Sequence, residues 1–361
     1  MLLNDGTCYL GRHFGAEIEA LGELVFNTSM TGYQEAITDP SYAGQILTFA
    51  YPLQGNYGIN KEDSESDKVH VRAVVAREVC TDANSHYRSV SSLGEHLRSN
   101  GIPGISNIDT RSIVRRVREH GVMPAAITPL EKGLSDGKIR EKLGELHSKI
   151  CKYDYGSINF VADVSTEKRK EFPAGKSALK NVALIDCGVK LNIIRELNAR
   201  KIDVTAFPYN VSADELLKGE PDGILISNGP GDPSLMNATI NTTKSLLGKL
   251  PIFGICLGHQ IIAHALGGTT YKLKFGHRGS NHAVVNPSTG KIYITTQNHG
   301  FAAKDIPEGV AEALFVNCND GTNEGLRHRK LPIISSQFHP EGACGPKDAN
   351  FLFDEFMKMM K

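Results

Sequence analysis

Residues 182–266 alternate short, unbroken apolar runs with helical stretches, and few folds accept that pattern. Val182-Ala-Leu-Ile185, Val204-Thr-Ala-Phe207, Gly223-Ile-Leu-Ile226 and Pro251-Ile-Phe-Gly-Ile255 read as strands. Leu191–Ala199, Ala213–Leu217, Asn241–Gly248 and Leu257–Leu266 read as helices between and after them. Strands that are apolar throughout are buried on both faces, and strands that alternate with helices run parallel. The expected architecture is α/β, a mostly parallel sheet flanked by helices. Ligands of such sheets gather beyond the carboxyl ends of the strands, so the chemistry is sought there.

The first half reads differently. Glu23–Thr28, Gln45–Phe49 and Val69–Val75 have the β-branched and aromatic content of strands. Thr110–His120 and Ser135–His147 read as helices, the first capped by Asp109 with Ile113, Val114 and Val117 on one face. This half is expected to be a strand-rich α/β domain. The stretch Ser165–Lys176 is charged, carries Pro173 and Gly175, and has the composition of a linker. The expected organisation is a first domain over 1–165, a linker over 166–180 and a second domain over 181–361. A length of 361 residues suits two domains of roughly 150 residues each.

Forty basic residues balance forty acidic ones, which excludes a globally basic nucleic-acid binder. No apolar run reaches the roughly 18 residues of a membrane-spanning helix. The start, Met-Leu-Leu-Asn-Asp-Gly, lacks a basic segment and a long apolar one, so no signal peptide is expected. The seven cysteines are odd in number and none has Cys-x-x-Cys spacing. Neither a disulfide framework nor a zinc site is expected, and a reducing cytoplasm suits the chain.

One cysteine stands apart. Gly254-Ile-Cys256-Leu-Gly258 joins a buried-type strand to a helix. Gly-x-Cys-x-Gly at such a junction has the spacing of a nucleophile elbow, where small neighbours allow a sharp, strained turn. A helix N-terminus lowers a thiol's pKa and offers N–H groups to an oxyanion. A thiol nucleophile needs a base, and the base an orienting group. Leu331–Phe338 reads as a strand ending at His339-Pro340-Glu341. On an extended segment, residues two apart face one way, which would set Glu341 beside His339. Ser227-Asn-Gly229-Pro-Gly231-Asp232 follows another strand and can present backbone N–H groups to a charge. No phosphate-binding loop of the Gly-x-x-x-x-Gly-Lys-Ser/Thr kind occurs, so no nucleotide site is expected in this chain.

Ser227–Asp232, Gly254–Gln260 and Phe338–Glu341 together resemble the class I, triad glutamine amidotransferases, a resemblance that covers the whole second half. In the first half, Gly32-Tyr-Gln-Glu35 with Thr38–Tyr42, Tyr51-Pro-Leu with Gly55-Asn-Tyr-Gly58, and Ile108-Asp-Thr-Arg111 narrow it. So do Phe275-Gly-His277 with Asn281-His282, and Gln297–Phe301. These resemble the small, glutamine-hydrolysing subunits of carbamoyl-phosphate synthetases. The resemblance implies that Cys256 attacks the side-chain amide of glutamine and forms a thioester. His339 then handles the protons and Glu341 orients it. Leu257 with Gly229 and Gly231 form the oxyanion hole, and Ser41, Gln260, Asn298, Gly300 and Phe301 hold glutamine.

It further implies a heterodimer with a large synthetase subunit. Ammonia passes to that partner, which makes carbamoyl phosphate from bicarbonate and two ATP for arginine or pyrimidine synthesis. ATP and Mg or K ions belong to the partner, and this chain is expected to carry no cofactor and no metal. His277, His282 and His299 show no metal spacing. The sequence departs from the family at Asn107, where Gly is usual, and at Cys344, a second thiol following the His-Pro-Glu turn. A triad amidotransferase serving anthranilate or guanylate synthesis would have no use for residues 1–160. A non-catalytic scaffold would have no use for Cys256, His339 and Glu341.

Overall fold

Apolar runs that must be covered on both sides account for the architecture. The computed structural model describes residues 1–81, 86–131 and 133–360. The chain divides into two units, Met1–Ile158 and Asn159–Lys361.

The first unit is a seven-stranded mixed sheet. Its strands are β1 (Leu2–Leu3), β2 (Arg12–Gly15), β3 (Ala20–Asn27), β4 (Gln45–Phe49), β6 (Ala73–Val75), β8 (Pro103–Ser106) and β9 (Met123–Ile127), with a short pair, β5 (Leu53–Gln54) and β7 (Glu78–Val79), apart from it. The order is β1-β9-β3-β4-β6-β8-β2, parallel through β3, β4, β6 and β8 and antiparallel at both edges. Val25, Leu47 and Val74 pack with Tyr33 and Ile37 of α1 (Tyr33–Thr38) and Leu93 and Leu97 of α2 (Leu93–Ser99). Helix α3 (Thr110–His120) has the bounds expected, with the Asp109 carboxylate accepting from the Ser112 N–H at 3.0 Å. Asn107 lies just before it at a φ of 56°. That is a left-handed conformation which Asn tolerates better than other side chains, so Gly is not required there. Helix α4 (Asp136–Lys152) buries Leu146 and Ile150 against Leu2 and Ala126.

The second unit is built on a ten-stranded sheet. Strands β12 (Ile202–Pro208), β11 (Lys180–Asp186), β13 (Gly223–Ile226), β14 (Ile252–Ile255) and β19 (Ile333–Ser336) run parallel in that order. Alternate residues of β11 enter opposite cores. Val182 and Leu184 meet α6 (Leu191–Ala199) and α10 (Phe351–Met359), while Ala183 and Ile185 join the core shared with α7 (Ala213–Leu217), α8 (Asn237–Leu246) and α9 (Leu257–Ala265). Each fully buried Leu, Ile or Phe of these layers contributes about 1.5–3 kcal/mol.

The sheet also continues antiparallel beyond β19 through β18 (Asn323–His328), β16 (Ile292–Lys304), β15 (Thr269–Val285) and β17 (Ala311–Asn317). Only the parallel core was visible as continuous apolar runs. The extension has one more solvated face and reads as mixed polarity.

Part of the 166–180 segment expected as a linker is folded. Lys170–Phe172 forms β10, paired antiparallel with β12 at the sheet edge. The segment's backbone is tied down on either side, Thr166 N–H to the Asp186 carboxylate at 2.8 Å and Ala174 N–H to Asp203 at 2.7 Å. Just before it, α5 (Val161–Val164) buries Val161 in the second unit's core, which sets the boundary between the units ahead of residue 165.

Candidate active site

The end of β14 and the start of α9 leave no space for side chains around Cys256. A Cβ on Gly258 would collide with the carbonyl oxygen of Ile226, and one on Gly254 would lie 2.6 Å from the Gly258 carbonyl oxygen. The two glycines are therefore a packing requirement of the turn. Cys256 itself is the N-cap of α9, with φ 54° and ψ −102°, a strained conformation for a non-glycine residue. Its N–H donates to the Ser336 carbonyl at 2.8 Å, binding the turn to β19. The thiol is buried and Sγ lies 3.6 Å from the Asn298 carbonyl oxygen, while Gln337 Nε2 approaches it at 3.8 Å. The first N–H groups of α9 have no acceptor within the helix and carry the positive end of its dipole.

His339 and Glu341 meet by a different route from the one expected. Strand β19 ends at Ser336, and residues 339–342 form a turn closed by the Gly342 N–H on the His339 carbonyl at 3.2 Å. His339 N–H donates to the Thr296 carbonyl at 2.9 Å, which pins the turn to β16. Within the turn, His339 Nδ1 lies 2.7 Å from Glu341 Oε1. The carboxylate accepts, so Nδ1 carries the proton and Nε2 is left as the reactive nitrogen. Nε2 is buried and has no aligned hydrogen-bond partner.

Lys190 completes the arrangement. Its Nζ lies 2.9 Å from Glu341 Oε1 and donates to the Ala343 carbonyl at 2.9 Å, with the lysine side chain 3% exposed and the glutamate fully buried. Burial disfavours both charges of the His339–Glu341 pair. The Lys190 ammonium and the imidazole nevertheless hold Glu341 below the usual carboxylate range. Burial likewise opposes the imidazolium, but the Glu341 carboxylate holds His339 above the usual imidazole range, against Lys190. Lys190 is placed by the 227–232 loop, whose Asn228 Oδ1 accepts the Lys190 N–H at 3.1 Å.

Of the residues singled out for glutamine, Leu257 follows Cys256 at the start of α9 and Asn298 meets the thiol through its carbonyl. Gln260 donates from Nε2 to the Phe301 carbonyl at 2.9 Å and to Gln337 Oε1 at 3.0 Å. Asn298, Gly300 and Phe301 follow one another on β16. A Cβ on Gly229 would lie 2.9 Å from Leu257 Cδ2, and Gly231 in the same loop has φ 88°. Ser41 sits in the first unit, in a short turn over Pro40–Tyr42 where the Asp39 carboxylate accepts the Ser41 N–H at 2.9 Å. Lys190 and Gln337 escaped the sequence reading. The available signal for Lys190 was its position, a lysine just after the carboxyl end of β11.

Residues 183–359 match the family model for class I glutamine amidotransferases, and residues 1–127 that for the carbamoyl-phosphate synthase small chain. The chain is 45% identical over 360 residues to the carbamoyl phosphate synthase small chain of Fusobacterium nucleatum, spanning 99% of this chain and 97% of that one. Against the small chain of Staphylococcus haemolyticus the identity is 47% over 363 residues, spanning 100% of this chain and 95% of the relative. The chain belongs to the carbamoyl phosphate synthase small chain family. The small chain of Bacillus thuringiensis is similar at 45% over 363 residues, with the same coverage. The class I glutamine amidotransferase match lies within the second unit. Among its described residues no helix is long and apolar enough to cross a membrane.

Proposed function

We propose that the chain hydrolyses glutamine for a cytoplasmic carbamoyl phosphate synthase, with Cys256 as nucleophile, His339 as acid and base, and Glu341 as the residue that orients His339. The observation that carries this reading is the line of three: a strained thiol at a helix N-terminus, an imidazole whose Nε2 is unpartnered, and a carboxylate 2.7 Å from its Nδ1. With the proton of the Sγ–Nε2 pair resting on the imidazole, Sγ attacks the side-chain carboxamide carbon. The oxyanion is held by the N–H of Leu257 and by the Gly229–Gly231 loop. The imidazolium donates its proton to the departing ammonia, leaving a glutamyl thioester. Nε2 then takes a proton from water, whose oxygen attacks the thioester; the C–S bond breaks, glutamate is released, and the proton on Nε2 is again shared with the freed Sγ.

Ser41, Gln260, Asn298, Gly300 and Phe301 bind the substrate in this reading. The partner is a large synthetase chain that receives ammonia and makes carbamoyl phosphate from bicarbonate and ATP. ATP and its metal ions act on that chain, and this one needs no cofactor for hydrolysis. The test is the small chain reconstituted with its large chain and supplied with glutamine or with ammonium. Cys256→Ser is expected to abolish glutamine-dependent synthesis and retain ammonium-dependent synthesis. Retention of the glutamine reaction sinks the proposal.

A further inference from the structure

The Asn298 carbonyl and the Gln337 carboxamide both face the Cys256 sulfur, and they suit different charge states of it. The carbonyl oxygen, 3.6 Å from Sγ, can only accept, so it suits the protonated thiol. Gln337 approaches with Nε2 at 3.8 Å, an atom that only donates, so it suits the thiolate.

Which end of Gln337 meets the sulfur follows from a backbone oxygen. The Phe301 carbonyl can only accept, and it takes Gln260 Nε2 at 2.9 Å and His299 Nδ1 at 2.8 Å. Gln260 is therefore turned with its NH₂ group toward that carbonyl, and the same NH₂ group reaches Gln337 at 3.0 Å. The atom of Gln337 that receives it must be the oxygen. Nε2 is then the end left for Sγ. Exchanging oxygen and nitrogen in either amide would set donor against donor or acceptor against acceptor.

Gln337 is also held in place. Its backbone N–H donates to the Glu324 carbonyl at 2.8 Å, and the residue is fully buried. Among the described residues, Sγ is the acceptor that its Nε2 reaches. A buried N–H without a good acceptor is unfavourable, and a neutral thiol is a weak acceptor. A charged acceptor makes a bond roughly twice as strong. The amide therefore favours the anionic sulfur, as does the positive end of α9.

We propose that Gln337 is a further catalytic residue, whose Nε2–H donates to the Cys256 thiolate. The proposal rests on Cys256 as the nucleophile. The donor acts at two points. Before acylation, with the proton on His339, it holds the charge on the attacking sulfur. When glutamate is released, the C–S bond breaks, the electron pair returns to sulfur, and the same N–H meets the charge again. In the thioester between these points the sulfur is neutral. Gln260, assigned to the substrate, also orients Gln337 and so ties the binding site to the nucleophile.

The test uses the small chain reconstituted with its large chain. Gln337→Met keeps much of the volume and loses the N–H; Gln337→Ala loses both. In each, kcat for glutamine-dependent synthesis should fall about 10–100-fold, with KM within about twofold of the wild type. Iodoacetamide alkylation of Cys256 at neutral pH, read on its peptide by mass spectrometry, should slow by a similar factor. Ammonium-dependent synthesis should stay at the wild-type rate, which reports an intact fold and complex. A loss confined to Gln337→Ala overturns the proposal and makes the residue a packing element. So does a change in KM alone, or loss of ammonium-dependent synthesis in both variants. Glutamine-dependent synthesis retained by Cys256→Ser would instead sink the nucleophile itself, so the two failures are told apart.

Discussion

The Nζ of Lys190 lies 2.9 Å from Oε1 of Glu341, the same oxygen that meets Nδ1 of His339 at 2.7 Å. One buried carboxylate oxygen thus serves two cationic partners. Taking away the ammonium leaves an anion in a dry site with a single partner. Lys190→Met should cost about 3–5 kcal/mol in urea unfolding. A change under ~1 kcal/mol, the range of exposed pairs, would show that the lysine is not held as described.

The charged pair has a sign that can be checked. His339 is held above its ordinary value of 6.5, so its stabilising contribution is complete below that pH and fades as the pH rises through the shifted value. Glu341 is held below its ordinary 4.5, so its contribution is present above that pH and fades as the pH falls through the shifted value. The contribution is therefore largest between those two ordinary values. The difference in urea midpoint between the wild type and His339→Asn should be larger at pH 5.5 than at pH 9. A gap that widens toward alkaline pH would contradict an imidazolium–carboxylate pair.

Removing the anion while keeping the shape addresses orientation. In Glu341→Gln the imidazole loses the charge that raises it, so the ionisation of His339 should move to lower pH. General acid–base catalysis is worth roughly 10²–10⁴-fold, and the fall in kcat for glutamine should lie in that range. The pH profile of kcat/KM reads both effects. A profile that keeps its limbs while the rate falls would assign Glu341 a packing role only.

The elbow can be tested through its glycines. A methyl group on Gly258 collides with the Ile226 carbonyl, part of the β13 backbone, which has no flexible end to yield. Gly258→Ala should destabilise the chain by about 1–3 kcal/mol and disturb the thiol. Alkylation of Cys256 by iodoacetamide, followed by mass spectrometry, reports the second effect. Wild-type stability and alkylation rate would mean that the turn has room to spare.

Asn107 offers a smaller check. At φ 56°, an alanine meets the penalty for a left-handed residue, roughly 1–2 kcal/mol, whereas glycine meets none. Thermal unfolding should rank Asn107→Gly at or above the wild type and Asn107→Ala below it. Equal values for all three would place the strain elsewhere.

The parallel core was legible because Val182–Ile185, Gly223–Ile226 and Ile252–Ile255 are apolar throughout, and burial on both faces leaves no other reading. Helices Leu191–Ala199 and Ala213–Leu217 fall where their periodicity set them. The antiparallel extension was hidden because β15 and β16 alternate buried and exposed positions around bulges, which blurs a period of two. Strand β10 was hidden by its charges; Phe172 and the pairing with β12 hold it in place. The thiol stood out because local geometry makes it what it is. Lys190 and Gln337 did not, since they matter through partners far away in sequence, and no local pattern encodes a distance between strands.

Strand β16 sets limits on how this domain can vary. Successive residues of a strand point to opposite sides, so Asn298 and His299 address different neighbours by necessity. A residue added in the turn over 286–291 lies outside the paired rows and can be absorbed there. A residue added within Thr295–Phe301 would exchange the two rows at a stroke, taking the His299 ring away from Gln297 and Phe301 and shifting the Asn298 carbonyl that meets the thiol. Length variation among functional variants should therefore be common at the hairpin tip and missing from the strand, a pattern that deletion scanning can read without assaying any single contact.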